Sequence, residues 1–145
     1  MNRDVRIKQL GALGESINRL VLQNHGHKVI MSENRFDRQK DMMADDQTVE
    51  TKTLCRWVKY NAFALPSSQW KKCDEVDRLF FVEIPFQNYG GPIHIWESLK
   101  PRKSLQVKDL RYYEVEYLHL YDTVIDSAMS IQLYDLSPSK YKGKL

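Results

Sequence analysis

The chemistry in this chain is concentrated in Asp41-Met-Met-Ala-Asp45-Asp46-Gln-Thr-Val-Glu50-Thr-Lys52-Thr53. Glu50 and Lys52 stand two residues apart, and on an extended strand such side chains leave the same face. Residues 49–54 alternate in character and read as the return strand of a hairpin, with Asp45-Asp46-Gln47 as its turn. Asp41, at the end of the outgoing strand, can then approach Glu50 and Lys52. Two carboxylates and one ammonium group would converge at one spot, with Asp37, Asp45 and Asp46 competing with Asp41 for the first carboxylate.

Phosphodiester hydrolysis uses such a set. Carboxylates hold Mg²⁺ through hard oxygen ligands. The cation offsets charge on the phosphate and lowers the pKa of a bound water. A lysine can position or deprotonate that water and stabilise the developing negative charge. Asp41 and Glu50 are therefore the expected Mg²⁺ ligands (Mn²⁺ being the natural substitute), and Lys52 the water-positioning residue. A solvated edge strand also carries Glu and Lys two apart, so these residues need support from the elements around them.

Apolar side chains at Ile7, Leu10, Ile17 and Val21, with Gly14 on the same stripe, predict a helix from Val5 to Asn24. His25-Gly26 supplies its stop, since Gly takes the left-handed conformation that ends helices. His27 to Ser32 reads as a short strand. After the hairpin, an aromatic-rich connection runs through Trp57, Tyr60 and Phe63 to Pro66. Ser67 or Ser68 can then cap a helix over Gln69 to Val76. Leu79 to Ile84 is a short apolar run ended by Pro85, hence a buried strand, and Ile93 to Glu97 is its partner across the Gly90-Gly91-Pro92 turn. Beyond Pro101 a strand is expected within Tyr112–Tyr121, and a helix or strand within Thr123–Leu133.

This order resembles the PD-(D/E)XK nuclease superfamily, whose members place a helix and a strand before a hairpin carrying D and ExK, then a helix and a further strand. The resemblance covers residues 5 to 84. It extends to Gly11-Ala-Leu-Gly14-Glu15 and to His25-Gly26-His27-Lys28-Val29, which are similar to the Gly-x-x-Gly-Glu helix and following strand of the resolvase-like and RecB-like groups. Thr53 fits the frequent E-x-K-T/S ending. The resemblance implies a restriction-endonuclease-like α/β fold, one central mixed sheet flanked by helices, and metal-dependent DNA cleavage by direct attack of water. It further implies that Glu15 joins Asp41 and Glu50 at the metal, and that Gln69 lies near the DNA phosphate with Lys71 and Lys72 meeting the backbone. It leans towards junction-resolving or phage-type enzymes and makes a homodimer an expectation. Lys40 replaces the proline that gives the motif its name, which leaves the aspartate the least secure member of the set.

Composition limits the remainder. At 145 residues and 42% hydrophobic, the chain can build one core. A single domain over 1–136 is expected, followed by a basic, flexible tail over 137–145 that contains Lys140, Lys142 and Lys144. The net charge of +3 is compatible with DNA as a partner. No run approaches the roughly 20 apolar residues of a membrane span, and the charged start MNRDVRIKQL has no signal-peptide core. A cytoplasmic setting, in a bacterial or phage-infected cell, is therefore expected. Without a Walker loop no nucleotide cofactor is expected. His25 and His27 lack a second pair for zinc, and Cys55 and Cys73 lack a partner histidine for thiol catalysis. Arg56 and Lys59, interleaved with Trp57, Tyr60, Phe63 and Trp70, could form a DNA-binding surface, although two of the four aromatics are expected in the core. The competing functional class is a non-catalytic nucleic-acid-binding or assembly protein on the same fold. A third reading, an unrelated α/β protein with a chance ExK, requires Asp41 and Glu50 to lie far apart.

Overall fold

The computed structural model describes residues 2–31, 42–86 and 88–137. Helix α1 (Arg3–Asn24) starts at Asn2, whose side chain accepts the Asp4 N–H. It ends where the sequence predicts. Gly26 takes φ 87°, its N–H donates to Gln23 O at 3.0 Å, and the His27 N–H donates to Leu22 O at 3.0 Å. That pair of bonds is a Schellman motif, which satisfies carbonyls the helix leaves without partners.

The chain then forms β1 (Val29–Met31), β2 (Met42–Ala44) and β3 (Gln47–Leu54), with β2 and β3 joined as the predicted hairpin. Strand β4 (Ala62–Pro66) and helix α2 (Ser67–Glu75) lead to β5 (Arg78–Glu83), which runs parallel to β3. Strand β6 (Ile93–Ser98) returns antiparallel to β5, as its alternation predicts. Strands β7 (Leu105–Val107), β8 (Leu110–Glu114) and β9 (His119–Val124) precede helix α3 (Ser127–Leu136). Six strands form one mixed sheet in the order β1-β2-β3-β5-β6-β9, and β4-β8-β7 form a separate antiparallel sheet. The protein is thus a mixed α/β domain, with three α-helices among the described residues.

Several sequence expectations need correction. The expected central mixed sheet is present, but a second, three-stranded sheet lies beside it, and part of the aromatic connection is strand β4, whose Phe63 and Leu65 point inward. Helix α2 begins at Ser67, not Gln69, with Pro66 as its cap and no side-chain capping bond. The Ser67 N–H donates instead to Asp109 O at 2.8 Å, which ties the helix to the β7–β8 turn. The single strand expected within Tyr112–Tyr121 is two strands, parted by a short 3-10 turn at Val115–Tyr117. The segment Thr123–Leu133 divides between the end of β9 and α3. Ser137, assigned to the tail, is buried, and its N–H donates to Leu133 O at 3.1 Å at the end of α3. No helix of the described residues is long and apolar enough to cross a membrane.

Two cores lie on opposite faces of the six-stranded sheet. One gathers Leu10, Ile17, Val21, Leu22, Phe80 and Val82 beneath α1, and the other gathers Phe63, Leu65, Cys73, Leu79, Phe81 and Tyr113 beneath α2 and the small sheet. Gly14 permits the closest approach of α1, because a Cβ there would collide with the side chain of Thr53.

Asp77 fastens the start of β3 to the start of β5. Its carboxylate accepts the Thr48 N–H at 2.8 Å, and its own N–H donates to Thr48 Oγ1 at 2.9 Å. These bonds, the Thr48 N–H first among them, hold the Asp77 carboxyl below its ordinary value of 3.8. A depressed acid stabilises the fold above its unfolded pKa and loses that contribution as pH falls through the folded value. Denaturant midpoints of wild type and Asp77→Asn should therefore differ most near neutrality and converge below about pH 4. A gap that persists unchanged into acid would assign the effect to the backbone bonds alone.

Candidate active site

Strand β3 carries its two sets of side chains to different partners. Thr51 and Thr53 face α1, where Asn18 Nδ2 donates to Thr51 Oγ1 at 2.9 Å. Glu50 and Lys52 leave the other face, towards α2, as the period of two requires. Glu50 is 7% exposed, and its carboxylate lies between two ammonium groups. Lys52 Nζ is 3.2 Å from Oε1, and Lys72 Nζ is 3.4 Å from Oε2. Lys52 Nζ also donates to Gln69 Oε1 at 3.1 Å. Gln69 and Lys72 are three apart on α2, which puts them on one helical face. Four of the residues singled out in the sequence therefore meet, from two elements separated in the chain by β4.

The arrangement suits an anion. One buried carboxylate holds two cations, so the cluster carries one net positive charge near a partly open surface. Lys52 is fixed by two acceptors rather than waving in solvent, which lowers the cost of using it on a reacting group. Cys73 lies buried beneath, and burial above all pushes its thiol up to about 11, the fields of Lys52 and Glu50 acting in opposite senses. Burial likewise raises the Cys55 thiol, with the Glu83 charge adding to it. Both remain protonated near neutral pH and are poor nucleophiles.

The other predicted residues are placed differently. Asp41 and Asp37 lie outside the described residues. Asp45 and Asp46 sit in the β2–β3 turn, and the Asp45 carboxylate is 2.8 Å from His27 Nδ1 and accepts the Lys28 N–H at 2.9 Å. His27 first, then that N–H, lowers its pKa. Glu15 is half-buried on α1. Lys71 is exposed on α2. Arg56 is engaged internally, donating to Glu83 Oε1 at 2.6 Å and to Asn61 Oδ1 at 3.0 Å. Lys59 is exposed, 5.4 Å from the Tyr60 ring centre. Of the four aromatics, Phe63 is fully buried and Trp70 half-buried, whereas Trp57 and Tyr60 are exposed. His25 pairs with Asp122 at 2.8 Å.

Two roles went unread in the sequence. Lys72 is a direct partner of Glu50, and its i, i+3 spacing from Gln69 was the available signal. Asn18, fully buried, braces the reverse of β3 at Thr51, and an asparagine on the apolar stripe of α1 marks it.

A divalent cation would need more than Glu50. Among the described residues no three His, Cys, Asp or Glu side chains form a group that could hold a metal ion. These residues therefore do not complete a Mg²⁺ site by themselves. Asp41 is the sequence's candidate for the missing carboxylate: it directly precedes Met42, and Met42 pairs with Val49, the neighbour of Glu50. No protein-family model, curated protein or solved structure matches this chain.

Proposed function

We propose that this protein is a metal-dependent DNA endonuclease of the PD-(D/E)XK type, built on a restriction-endonuclease-like fold. The observation that carries the reading is the meeting of Glu50, Lys52, Gln69 and Lys72 around one buried carboxylate. In this reading Glu50 and Asp41 are the Mg²⁺ ligands, with Glu15 as a further candidate. The cation, when bound, supplies charge neutralisation and a more acidic water. The chain's own groups do the rest. Lys52 holds the attacking water and the developing charge on the phosphate. Gln69 fixes the Lys52 ammonium, and Lys72 and Lys71 hold neighbouring phosphate oxygens. A chance ExK on a solvated edge strand would leave Glu50 exposed, whereas here it is buried under α2.

The test is cleavage of supercoiled, linear, single-stranded and four-way-junction DNA with Mg²⁺ or Mn²⁺, comparing wild type with Glu50→Ala. Metal-dependent cutting that the substitution abolishes is the expected result, and the four substrates rank its preference. Wild type that binds these DNAs and cuts none of them would replace the nuclease with a binding or assembly module on the same fold. Wild type that does neither would remove nucleic acid from the reading altogether.

A further inference from the structure

The reverse side of α2 holds a second cationic feature. A surface cavity of about 560 Å³ is lined by Asp74, Lys100, Pro101, Arg102, Ser104 and Arg111. Three cations and one carboxylate make its lining positive, and the Asp74 carboxylate is occupied as acceptor of the Tyr113 hydroxyl at 3.2 Å.

Both arginines are held in place and still have donors to offer. Arg102 donates to Asp74 O and Val76 O, each at 2.8 Å, and to Ser98 O at 3.2 Å. Arg111 lies 4.0 Å from the Trp70 ring centre and donates to Ser104 Oγ at 2.8 Å and Gln106 Oε1 at 3.2 Å. A guanidinium has about five N–H donors, so each arginine keeps at least two uncommitted. The Nε of Arg111 is buried and out of reach of a ligand, which leaves its terminal N–H groups as the available donors. Lys100 is exposed at the rim. Uncommitted N–H donors on cations already held in place are what a phosphate oxygen satisfies.

Helix α2 and the sheet beneath it connect the cavity to the candidate active site. Glu50 pairs with Leu79, and Leu79 with Ser98, so Glu50 and the residue bound by Arg102 share one row across three strands. Helix α2 stands between the two places, presenting Gln69 and Lys72 to Glu50 and Lys52, and Trp70 and Asp74 to Arg111 and Arg102. We propose that this cavity seats a backbone phosphate of the bound nucleic acid, distinct from the phosphate at Lys52, with Lys100, Arg102 and Arg111 as its donors. The proposal rests on the nuclease reading for the position of that second phosphate.

Two measurements on the full chain test it. Binding of a labelled DNA duplex in EDTA, followed across salt concentrations, should show a slope of log K against log salt smaller by about 0.9 in Lys100→Ala, the share of one lost phosphate contact. Lys103→Ala is the control, because Lys103 lies over Tyr117 at 3.9 Å and not in the cavity. By NMR, the duplex should shift the Trp70 indole and Arg111 Nε–H signals of the wild type. An unchanged slope with unmoved signals overturns the proposal. So does inorganic phosphate shifting those signals when DNA does not, because the seat would then serve a free anion. DNA binding with the reduced slope but no cleavage under any metal upholds the cavity and overturns the nuclease. If the wild type binds no DNA at all, both fall together.

Discussion

Lys52→Ala is expected, on the proposed nuclease reading, to slow single-turnover DNA cleavage by about 10²–10⁴-fold, the range for loss of a positioned proton-transfer group, while leaving the fold intact. The fold should survive because Glu50 keeps a cationic partner. Lys72 remains 3.4 Å from its second oxygen, so no buried charge is stranded. Loss of Lys52 also leaves Gln69 on the surface of α2, where water can replace the bond. The defect should therefore appear in kcat and hardly in the melting temperature or in DNA affinity. Lys52→Arg should restore little, because a planar guanidinium cannot occupy the place of a compact ammonium between Glu50 and Gln69. Single-turnover cleavage with saturating protein, paired with thermal melts, separates the cases. A Lys52→Ala protein that cuts at the wild-type rate would move the chemistry elsewhere, and one that cuts slowly but also melts many degrees lower would make Lys52 a structural residue.

Phe81→Ala is expected to cost about 3–5 kcal/mol, the range for emptying a large aromatic site in a core. Phe81 is fully buried, stacks on Phe63 with centroids 4.8 Å apart and planes 2° from parallel, and meets Tyr113 at 5.3 Å. It is the joint between the two sheets, since Phe63 and Tyr113 belong to β4 and β8. A domain of this size is stable by only about 5–15 kcal/mol, so the loss is a large part of the total. Phe81 also pairs with Lys52 across β3 and β5, and its removal loosens the layer on which α2 rests. The urea midpoint should fall steeply, with Phe81→Leu intermediate. A drop below about 1 kcal/mol would mean that the small sheet is held by the Ser67–Asp109 and Arg102 hydrogen bonds and not by this stack.

What was legible in the chain depended on local physics. The stripe Leu10, Gly14, Ile17, Val21 and the Gly26 stop mark α1 because helical period and a left-handed glycine act within a few residues. The same is true of β5, β6 and the hairpin. The face shared by Glu50 and Lys52 follows from alternation alone. By contrast, β7 and β8 are short strands of three and five residues, too brief for periodicity to distinguish from loop, and the pairing of β8 with β4 joins residues about fifty apart in sequence. Ser67 looked like a cap, yet a backbone carbonyl from that distant sheet took its N–H.

The sequence by itself therefore determined which side chains could do chemistry and which neighbours along the chain share a face with them. Tertiary structure alone decided that Lys72 and Gln69 close over Glu50, that Arg56 pairs with Glu83, and that Arg102 and Arg111 line a cavity on the far side of α2. The physical reason is that ion pairs and buried donors are settled by which surfaces the two cores press together. That outcome depends on contacts between segments the chain's local order does not relate.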